Sequence, residues 1–227
     1  MPVPALRTGV AFALAAAATL LAWPAAQAAT TQMTLAVISL AGDARYANRR
    51  MERGYPGHPQ GRALQGVQLA LEEAAFELDT AGVALTVRDV VLPDMAALPK
   101  ALADLKAAKV QHLVADLPLA ELRQLVQTAP AALGGAVVFN TGLDDDSLRA
   151  QNCAAHLLHT LPSASMRADT LAQYLAARNW RKVLLLQGPE PADVLMGEAF
   201  NRAAKRYGLK ITQTKPFKLS GDPRERD

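Results

Sequence analysis

Short apolar runs alternate with amphipathic stretches along most of this sequence. Turn residues or polar residues bound each run, which is typical of strands buried in a parallel sheet. The apolar pattern predicts strands over residues 33–40, 83–91, 110–115, 136–140, 154–162, 182–187 and 211–219. The first run, Met33-Thr-Leu-Ala-Val-Ile-Ser-Leu40, is the clearest of them.

Helical spacing of apolar residues fills the intervals between these runs. It predicts helices over residues 64–78, 98–109, 119–133, 164–179 and 192–207. The first would pack Leu64, Val67 and Leu71 on a sheet, and the fourth would place Leu171 and Leu175 on one face. The second would carry Leu98, Leu102 and Leu105 inward, and the third presents Leu122, Leu125, Val126 and Ala129. Strands alternating with helices at this spacing predict right-handed crossovers and a doubly wound parallel sheet, so the fold class is α/β.

The second half of the pattern is shorter than the first. We expect a first α/β lobe at 29–163 and a partial second α/β lobe at 164–227, with the crossover between lobes at the boundary. Two or three strands with two helices bury too little surface to offset the loss of chain entropy. The pattern therefore predicts that the second lobe is truncated at the carboxyl terminus.

The amino-terminal segment has the layout of a cleavable signal peptide. Arg7 precedes an apolar run at 9–22, and Pro24 ends that run. Ala26 and Ala28 place small side chains where signal peptidase needs them, so we expect cleavage after Ala28 and a periplasmic mature protein. A membrane anchor is the alternative, but it needs about 20 uninterrupted apolar residues.

The composition is that of an ordinary globular protein, with 51% hydrophobic and 20% charged residues. The formal net charge is only +3, and basic residues are interleaved with acidic ones along most of the chain. We therefore expect no nucleic-acid partner, and no membrane span once the signal peptide is removed.

Residues that could carry catalysis or bind a metal are sparse. The single cysteine, Cys153, is expected to be a buried small apolar residue, and the four histidines lack metal-binding spacing. The acidic run 144–146 lacks the spacing of a calcium loop and is expected to be solvated or to cap the turn that begins at Ser147. No nucleophile elbow or phosphate-binding glycine loop is present, so we expect neither an enzyme nor a cofactor.

The order of elements, together with His159-Thr-Leu-Pro-Ser163, Ala172-Gln-Tyr-Leu-Ala176 and Trp180-Arg-Lys-Val-Leu-Leu-Leu186, resembles a known family. These features are similar to type I periplasmic solute-binding proteins of ABC transporters, especially the branched-chain amino acid (leucine/isoleucine/valine) binding proteins. The segment from Arg45 to Leu64, with Tyr55-Pro56-Gly57-His58, is similar to the branch associated with pyrroloquinoline-quinone-dependent alcohol oxidation.

The resemblance implies two lobes that close on a solute at the carboxyl ends of their strands, which is also where α/β sheets generally bind ligands. The ligand-binding candidates at this rim are Tyr46, Asp116, Asn140, Thr141 and Gly142. In amino-acid-binding members, hydroxyl groups after the third and fourth strands hold the ligand carboxylate. Thr141 matches the second position, whereas Asp116 stands near the first and, as an anion, would repel a carboxylate.

The resemblance therefore implies capture of a small solute, either amino-acid-like or a small organic acid, for delivery to ABC permease subunits. A periplasmic ligand-sensing module that passes its occupancy to a receptor is the alternative, because the sequence does not separate the two.

Overall fold

The computed structural model describes residues 30–46 and 61–217 of the chain. The predicted signal peptide, its predicted cleavage site and Tyr55 lie outside the described residues, as do residues 218–227. So does most of the segment that resembles the branch linked to alcohol oxidation.

Strands and helices alternate in the described residues, as the apolar pattern predicts. The strands are β1 (Thr31–Leu40), β2 (Val83–Leu92), β3 (His112–Asp116), β4 (Val137–Asn140), β5 (Leu157–His159), β6 (Lys182–Gln187) and β7 (Lys210–Pro216). The α-helices are α1 (Ala63–Glu73), α2 (Ala75–Thr80), α3 (Leu98–Ala107), α4 (Leu119–Leu133), α5 (Ala164–Ala177) and α6 (Pro191–Arg206). Short 3₁₀ turns lie at Ala44–Tyr46, Met95–Ala97 and Asp146–Arg149. None of these helices is long and apolar enough to cross a membrane.

The first five strands form one parallel sheet in the order β2-β1-β3-β4-β5. The chain moves outward from β1 to β2 and then returns past β1 to β3. With right-handed crossovers, this reversal puts α1 and α2 on one face of the sheet and α3 and α4 on the other. The predicted doubly wound parallel sheet is confirmed, and its reversal point lies between β1 and β3.

The main core lies between this sheet and the pair α3 and α4. Inward residues of β1 and the leucines of both helices are almost fully buried because their spacing matches the strand and helix periods. They include Ala36, Ile38, Leu98, Leu102, Leu105, Leu122 and Leu125. The predicted inward faces of α3 and α4 are therefore confirmed.

The opposite face of the sheet differs from the prediction. The single helix expected over residues 64–78 is divided at Ala74 into α1 and α2, and neither piece contains a buried residue. The Ala74 N–H still bonds to the Ala70 carbonyl, and the Ala74 carbonyl accepts from Leu78 N–H. The apolar face is therefore continuous across the break, so a periodic pattern cannot reveal it.

A second, two-stranded parallel sheet follows, made of β6 and β7. Its core contacts with α5 and α6 are made largely by alanines: Ala164, Ala168, Ala172, Ala199, Ala203 and Ala204. Leu171, which the helical spacing places on the same face as Leu175, is 49% exposed. Leu175 does pack against the cluster. Small side chains let the two helices approach closely, and this approach selects the alanine face over the leucine face.

The acidic run after β4 joins the two sheets. Asp145 caps the 3₁₀ turn by accepting from Ser147 N–H at 2.8 Å, which confirms the predicted capping role. Asp146 accepts from Ser165 N–H at 3.0 Å at the start of α5, and it pairs with Arg202 of α6 at 3.2 Å. The acidic run therefore connects both helices of the second unit to the first unit. The lobe boundary between residues 163 and 164 stays a prediction.

Cys153 corrects another expectation. The predicted strand over residues 154–162 is reduced to β5, and Cys153 lies in the preceding turn, where its N–H donates to the Ala150 carbonyl. Its side chain is exposed rather than buried. Connecting turns run over the protein surface, which explains the difference.

Candidate functional site

A crevice of about 650 Å³ opens beyond the carboxyl ends of β1, β3 and β4. It lies at the reversal point of the strand order, where open α/β sheets bind their ligands. Residues that line it include Tyr46, Arg62, Val67, Asp116, Thr141 and Gly142.

Asp116 ends β3 at the floor of this crevice, with its side chain only 2% exposed. Its Oδ1 accepts from Tyr46 Oη at 2.7 Å and from Arg45 Nη2 at 3.0 Å. Its Oδ2 accepts from Arg62 Nε at 3.1 Å and from Ala63 N–H at 3.4 Å. Four donors thus occupy the lone pairs of this carboxylate, so Asp116 is not the unpaired anion that would repel a solute carboxylate. The local sequence does not reveal this pairing, because both arginines come from other segments of the chain.

A second buried carboxylate completes the arrangement. Asp43 follows β1 and accepts from Arg45 Nη2 at 2.6 Å, while Arg62 Nη2 lies 3.8 Å away. Burial raises the pKa of Asp43, but the hydrogen bonds and positive charge of Arg45 more than offset this and hold that pKa below its usual value. Asp43, Arg45, Arg62 and Asp116 are called the rim ion cluster below; their formal charges sum to zero.

Tyr46 connects the rim ion cluster to the crevice. The guanidinium carbon of Arg62 lies 4.3 Å from the centre of its ring, within the range of a cation–π contact. Burial and the hydrogen bond to Asp116 raise the pKa of Tyr46 to about 12. The phenol therefore stays protonated and keeps donating to Asp116 throughout the neutral range.

Asn140 lies beneath the crevice instead of lining it. Asn140 is fully buried, with 0% of its surface exposed. Its Oδ1 accepts hydrogen bonds from Gly142 N–H at 3.3 Å and from Leu143 N–H at 3.0 Å. Its Nδ2 donates to the Leu143 carbonyl at 2.6 Å and to His159 Nδ1 at 3.0 Å. Burial and the charge of Arg149 lower the pKa of His159, which leaves its Nδ1 able to accept. Asn140 thereby shapes the loop that presents the next two residues.

Thr141 and Gly142 do line the crevice. Thr141 Oγ1 donates to the Ala115 carbonyl at 3.2 Å, which holds the loop against the end of β3. A Cβ atom at Gly142 would lie 3.1 Å from Arg45 Nη1, so a side chain there would crowd the rim ion cluster. Four of the five candidates, Tyr46, Asp116, Thr141 and Gly142, are thus brought together around one opening.

Sequence reasoning missed Asp43, Arg45 and Arg62 as members of the site. The position of Asp43 and Arg45 just after a buried strand was a usable signal, because rim loops carry function in this architecture. Arg62 gave no such signal, since 54 residues separate it from Asp116. No group of three or more His, Cys, Asp or Glu side chains able to hold a metal occurs within residues 30–46 and 61–217.

Comparisons with known proteins place the architecture. No protein-family model and no curated protein sequence matches the chain. Among solved structures, an ABC transporter substrate-binding protein from Desulfitobacterium hafniense is 16% identical with a TM-score of 0.58. The match covers 86% of this chain and 52% of that one.

Two further structures are similar to the same extent. A branched chain amino acid ABC transporter periplasmic ligand-binding protein from Burkholderia xenovorans is 17% identical with a TM-score of 0.55, covering 84% of this chain and 48% of its own. A leucine-, isoleucine-, valine-, threonine- and alanine-binding protein from Brucella ovis, in a closed conformation, is 11% identical with a TM-score of 0.57. That match covers 82% of this chain and 47% of the Brucella protein.

This chain therefore spans about half the length of the solved structures it matches. Identities this low show a shared fold and do not by themselves transfer a ligand. The described chain has the fold of a type I periplasmic solute-binding protein: a five-stranded parallel lobe followed by a second, smaller α/β unit.

Proposed function

We propose that this protein captures a small solute in the periplasm and delivers it to an ABC importer. The observation that carries the proposal is the crevice at the reversal point of the sheet, where Tyr46, Asp116, Thr141 and Gly142 converge. A concave site with an apolar wall and a few placed polar groups is the usual form of a small-molecule site. Solute-binding proteins of the same fold give the proposal its transport context.

The solute class proposed from the sequence is amino-acid-like or a small organic acid. The names of the Burkholderia and Brucella proteins support amino acids as the first compounds to examine. Closure of two lobes around the solute would then present the loaded protein to the permease subunits, as hinge closure does in periplasmic binding proteins.

Binding to the rim can be tested by isothermal titration calorimetry with amino acids, small carboxylates and uncharged analogues. For any solute that binds, Thr141→Ala should weaken affinity by about 5- to 100-fold, the cost of leaving a buried polar partner unsatisfied. Thr212→Ala is a matched control. Thr212 lies on β7, away from the crevice, and its Oγ1 also donates to a backbone carbonyl, that of Val183. Equal affinity of Thr141→Ala and the control would remove this crevice as the solute site.

Export is tested separately. Amino-terminal sequencing of the protein recovered from the periplasmic fraction should begin at Ala29, since Ala26 and Ala28 satisfy the small-residue rule of signal peptidase. Recovery of a protein that retains Met1 in the membrane fraction would instead indicate an anchor.

A further inference from the structure

We infer that Arg45 is the residue of the rim crevice that recognises the solute, and that it binds a small carboxylate with no ammonium group on the neighbouring carbon. The inference rests on the proposed function and narrows its solute class. It follows from which donors of the rim ion cluster are used within the protein and which remain open to the crevice.

Arg45 keeps one end of its guanidinium group for a ligand. Its Nε donates to the two oxygens of Asp43 at 3.1 and 3.0 Å. Its Nη2 donates to Asp43 at 2.6 Å and to Asp116 at 3.0 Å, which uses both protons of that nitrogen. Nη1 carries two more protons, and it donates to no residue within 30–46 and 61–217. The guanidinium group is therefore fixed along one edge, with two donors left over at the other.

Gly142 keeps the approach to these donors open. A Cβ atom at this position would lie 3.1 Å from Arg45 Nη1, so any side chain would crowd that nitrogen. Arg45 and Gly142 both line the crevice, and the Arg45 side chain is 28% exposed. A solute oxygen in the crevice can therefore come within hydrogen-bonding distance of Nη1.

Arg62 is less well placed to bind a solute. Its Nε donates to Asp116 at 3.1 Å and its Nη1 to the Leu40 carbonyl at 3.0 Å. Its Nη2 has no hydrogen-bond partner in the described chain, but this nitrogen is buried. Of the two arginines in the cluster, Arg45 is thus the one with an accessible donor pair.

The charges of the rim ion cluster are arranged with its cations toward solvent. The side chains of Asp43 and Asp116 are 1% and 2% exposed, whereas those of Arg45 and Arg62 are 28% and 30% exposed. The formal charges sum to zero, but the surface that a solute meets is formed by the guanidinium groups. A carboxylate beside Arg45 Nη1 would gain charge-assisted hydrogen bonds there.

An ammonium group next to that carboxylate would meet a different environment. Asp116 is the acidic residue of the described lining, and four donors already occupy its oxygens. The ammonium group of an α-amino acid would lie near the guanidinium groups of Arg45 and Arg62, and like charges repel. Ala63, Val67 and Ala70 also line the crevice and offer contact to a hydrocarbon chain. The chemical class that matches is a small carboxylic acid with an apolar chain.

The test uses the full chain and ligands that share one carbon skeleton. Calorimetry would compare 4-methylpentanoate, 4-methylpentanamide and leucine, and the equivalent triplets built on the skeletons of alanine and phenylalanine. The acid of a binding triplet should bind about tenfold or more tightly than its amide, which lacks the charge, and than its amino acid, whose ammonium group is repelled.

The outcomes separate this inference from the proposed function. Binding of the amide or the amino acid as tightly as the acid, or more tightly, overturns the inference and leaves solute capture intact. Absence of binding in all three triplets overturns both the inference and the proposed function.

Arg45→Lys tests the residue itself. Lysine keeps a positive charge beside Asp43 and Asp116 but lacks the forked pair of donor ends. Affinity for the acid should fall by about tenfold or more, while affinity for the amide should change by less than about threefold. Arg206→Lys on α6 is the matched control, because Arg206 also pairs with an aspartate, Asp169, outside the crevice lining. It should leave both affinities unchanged.

Gly142→Ala is the second variant, since Arg45→Lys also alters two buried ion pairs. The added methyl group would crowd Nη1 while the side chain of Arg45 keeps its partners, so the ratio of acid to amide affinity should fall by about tenfold. Gly42→Ala in the loop after β1 is the control, because nothing lies within 4 Å of its added Cβ. An unchanged ratio in either variant that folds would overturn the role of Arg45.

Discussion

Asp43 shows how a single residue supports the rim. Its side chain is 1% exposed, and it anchors Arg45 through both the backbone N–H at 2.9 Å and the guanidinium group. Arg45 in turn reaches Asp116, and Gly142 leaves room for it. A change at Asp43 therefore acts on the whole rim ion cluster.

Asp43→Asn should lower the free energy of unfolding by about 2 to 3 kcal/mol at neutral pH, because it breaks a buried ion pair. The pKa of Asp43 is lowered in the folded state, so its contribution is present above the ordinary value of 3.8 and is lost as the pH falls through the lower folded pKa. The difference between variant and native protein should thus be constant from pH 7 to 5 and shrink below about pH 4.

Chemical denaturation at several pH values measures this difference. Asp104→Asn is the control, since that carboxylate is 63% exposed and its pair with Lys100 should contribute less than about 1 kcal/mol. A deficit that is the same at pH 3 and pH 7 would show that the ionised form of Asp43 is not what stabilises the rim.

At the scale of the element, three helices end in the same way. After α3, Val110 N–H bonds to the Leu105 carbonyl and Lys109 N–H to the Lys106 carbonyl, each at 3.0 Å. The same pair of bonds follows α5 and α6, so each helix ends in a Schellman motif with a left-handed residue. That residue is Gly208 after α6, with φ of 67°, but it is Lys109 after α3 (φ 56°) and Asn179 after α5 (φ 60°).

Lys109→Gly should stabilise the protein by about 0.5 to 1 kcal/mol, because a side chain with a Cβ atom is strained in the left-handed region. Asn179→Gly should stabilise less, since Asn tolerates this conformation better than Lys does. Thermal and chemical unfolding of the two variants measures the difference, and Lys109→Ala separates loss of the side chain from relief of strain. A larger gain for Asn179→Gly than for Lys109→Gly would contradict the strain argument.

At the scale of the whole molecule, the two sheets have unequal cores. The five-stranded sheet is packed by leucines of α3 and α4, whereas the two-stranded sheet is packed mainly by alanines. Leu184 and Leu186 on the other face of β6 are 51% and 59% exposed. Burial of apolar area scales with stabilisation, so the second unit has the weaker packing.

Native-state hydrogen exchange should therefore show faster exchange of amides in β6 and β7 than in β1 and β3. Local unfolding starts where few apolar contacts hold the backbone. Mass spectrometry of peptic fragments resolves the two regions, with residues 98–107 of α3 as an internal reference. Slower exchange in β6 than in β1 would mean that the alanine core is the more stable one.

The sequence by itself determined the fold class and most of the elements. An apolar run long enough to fill a buried strand identified β1. The leucine spacing of α4 identified that helix, and Gly134-Gly135 identified its end. These signals are local, so the sequence alone carries them. The same rule about parallel strands placed Tyr46, Asp116, Thr141 and Gly142 at one rim.

Tertiary structure alone decided which side chains are paired and which faces are buried. The alanine face of α5 is buried because α6 packs closely against it, a partner that periodicity within α5 does not encode. Asp116 is neutralised by Arg62, which lies 54 residues away in the sequence. The side-chain oxygen of Asn140 accepts from backbone N–H groups of its own loop. Local patterns specify elements, whereas the charge and hydrogen-bonding capacity of a site depend on contacts between segments that only the folded chain brings together.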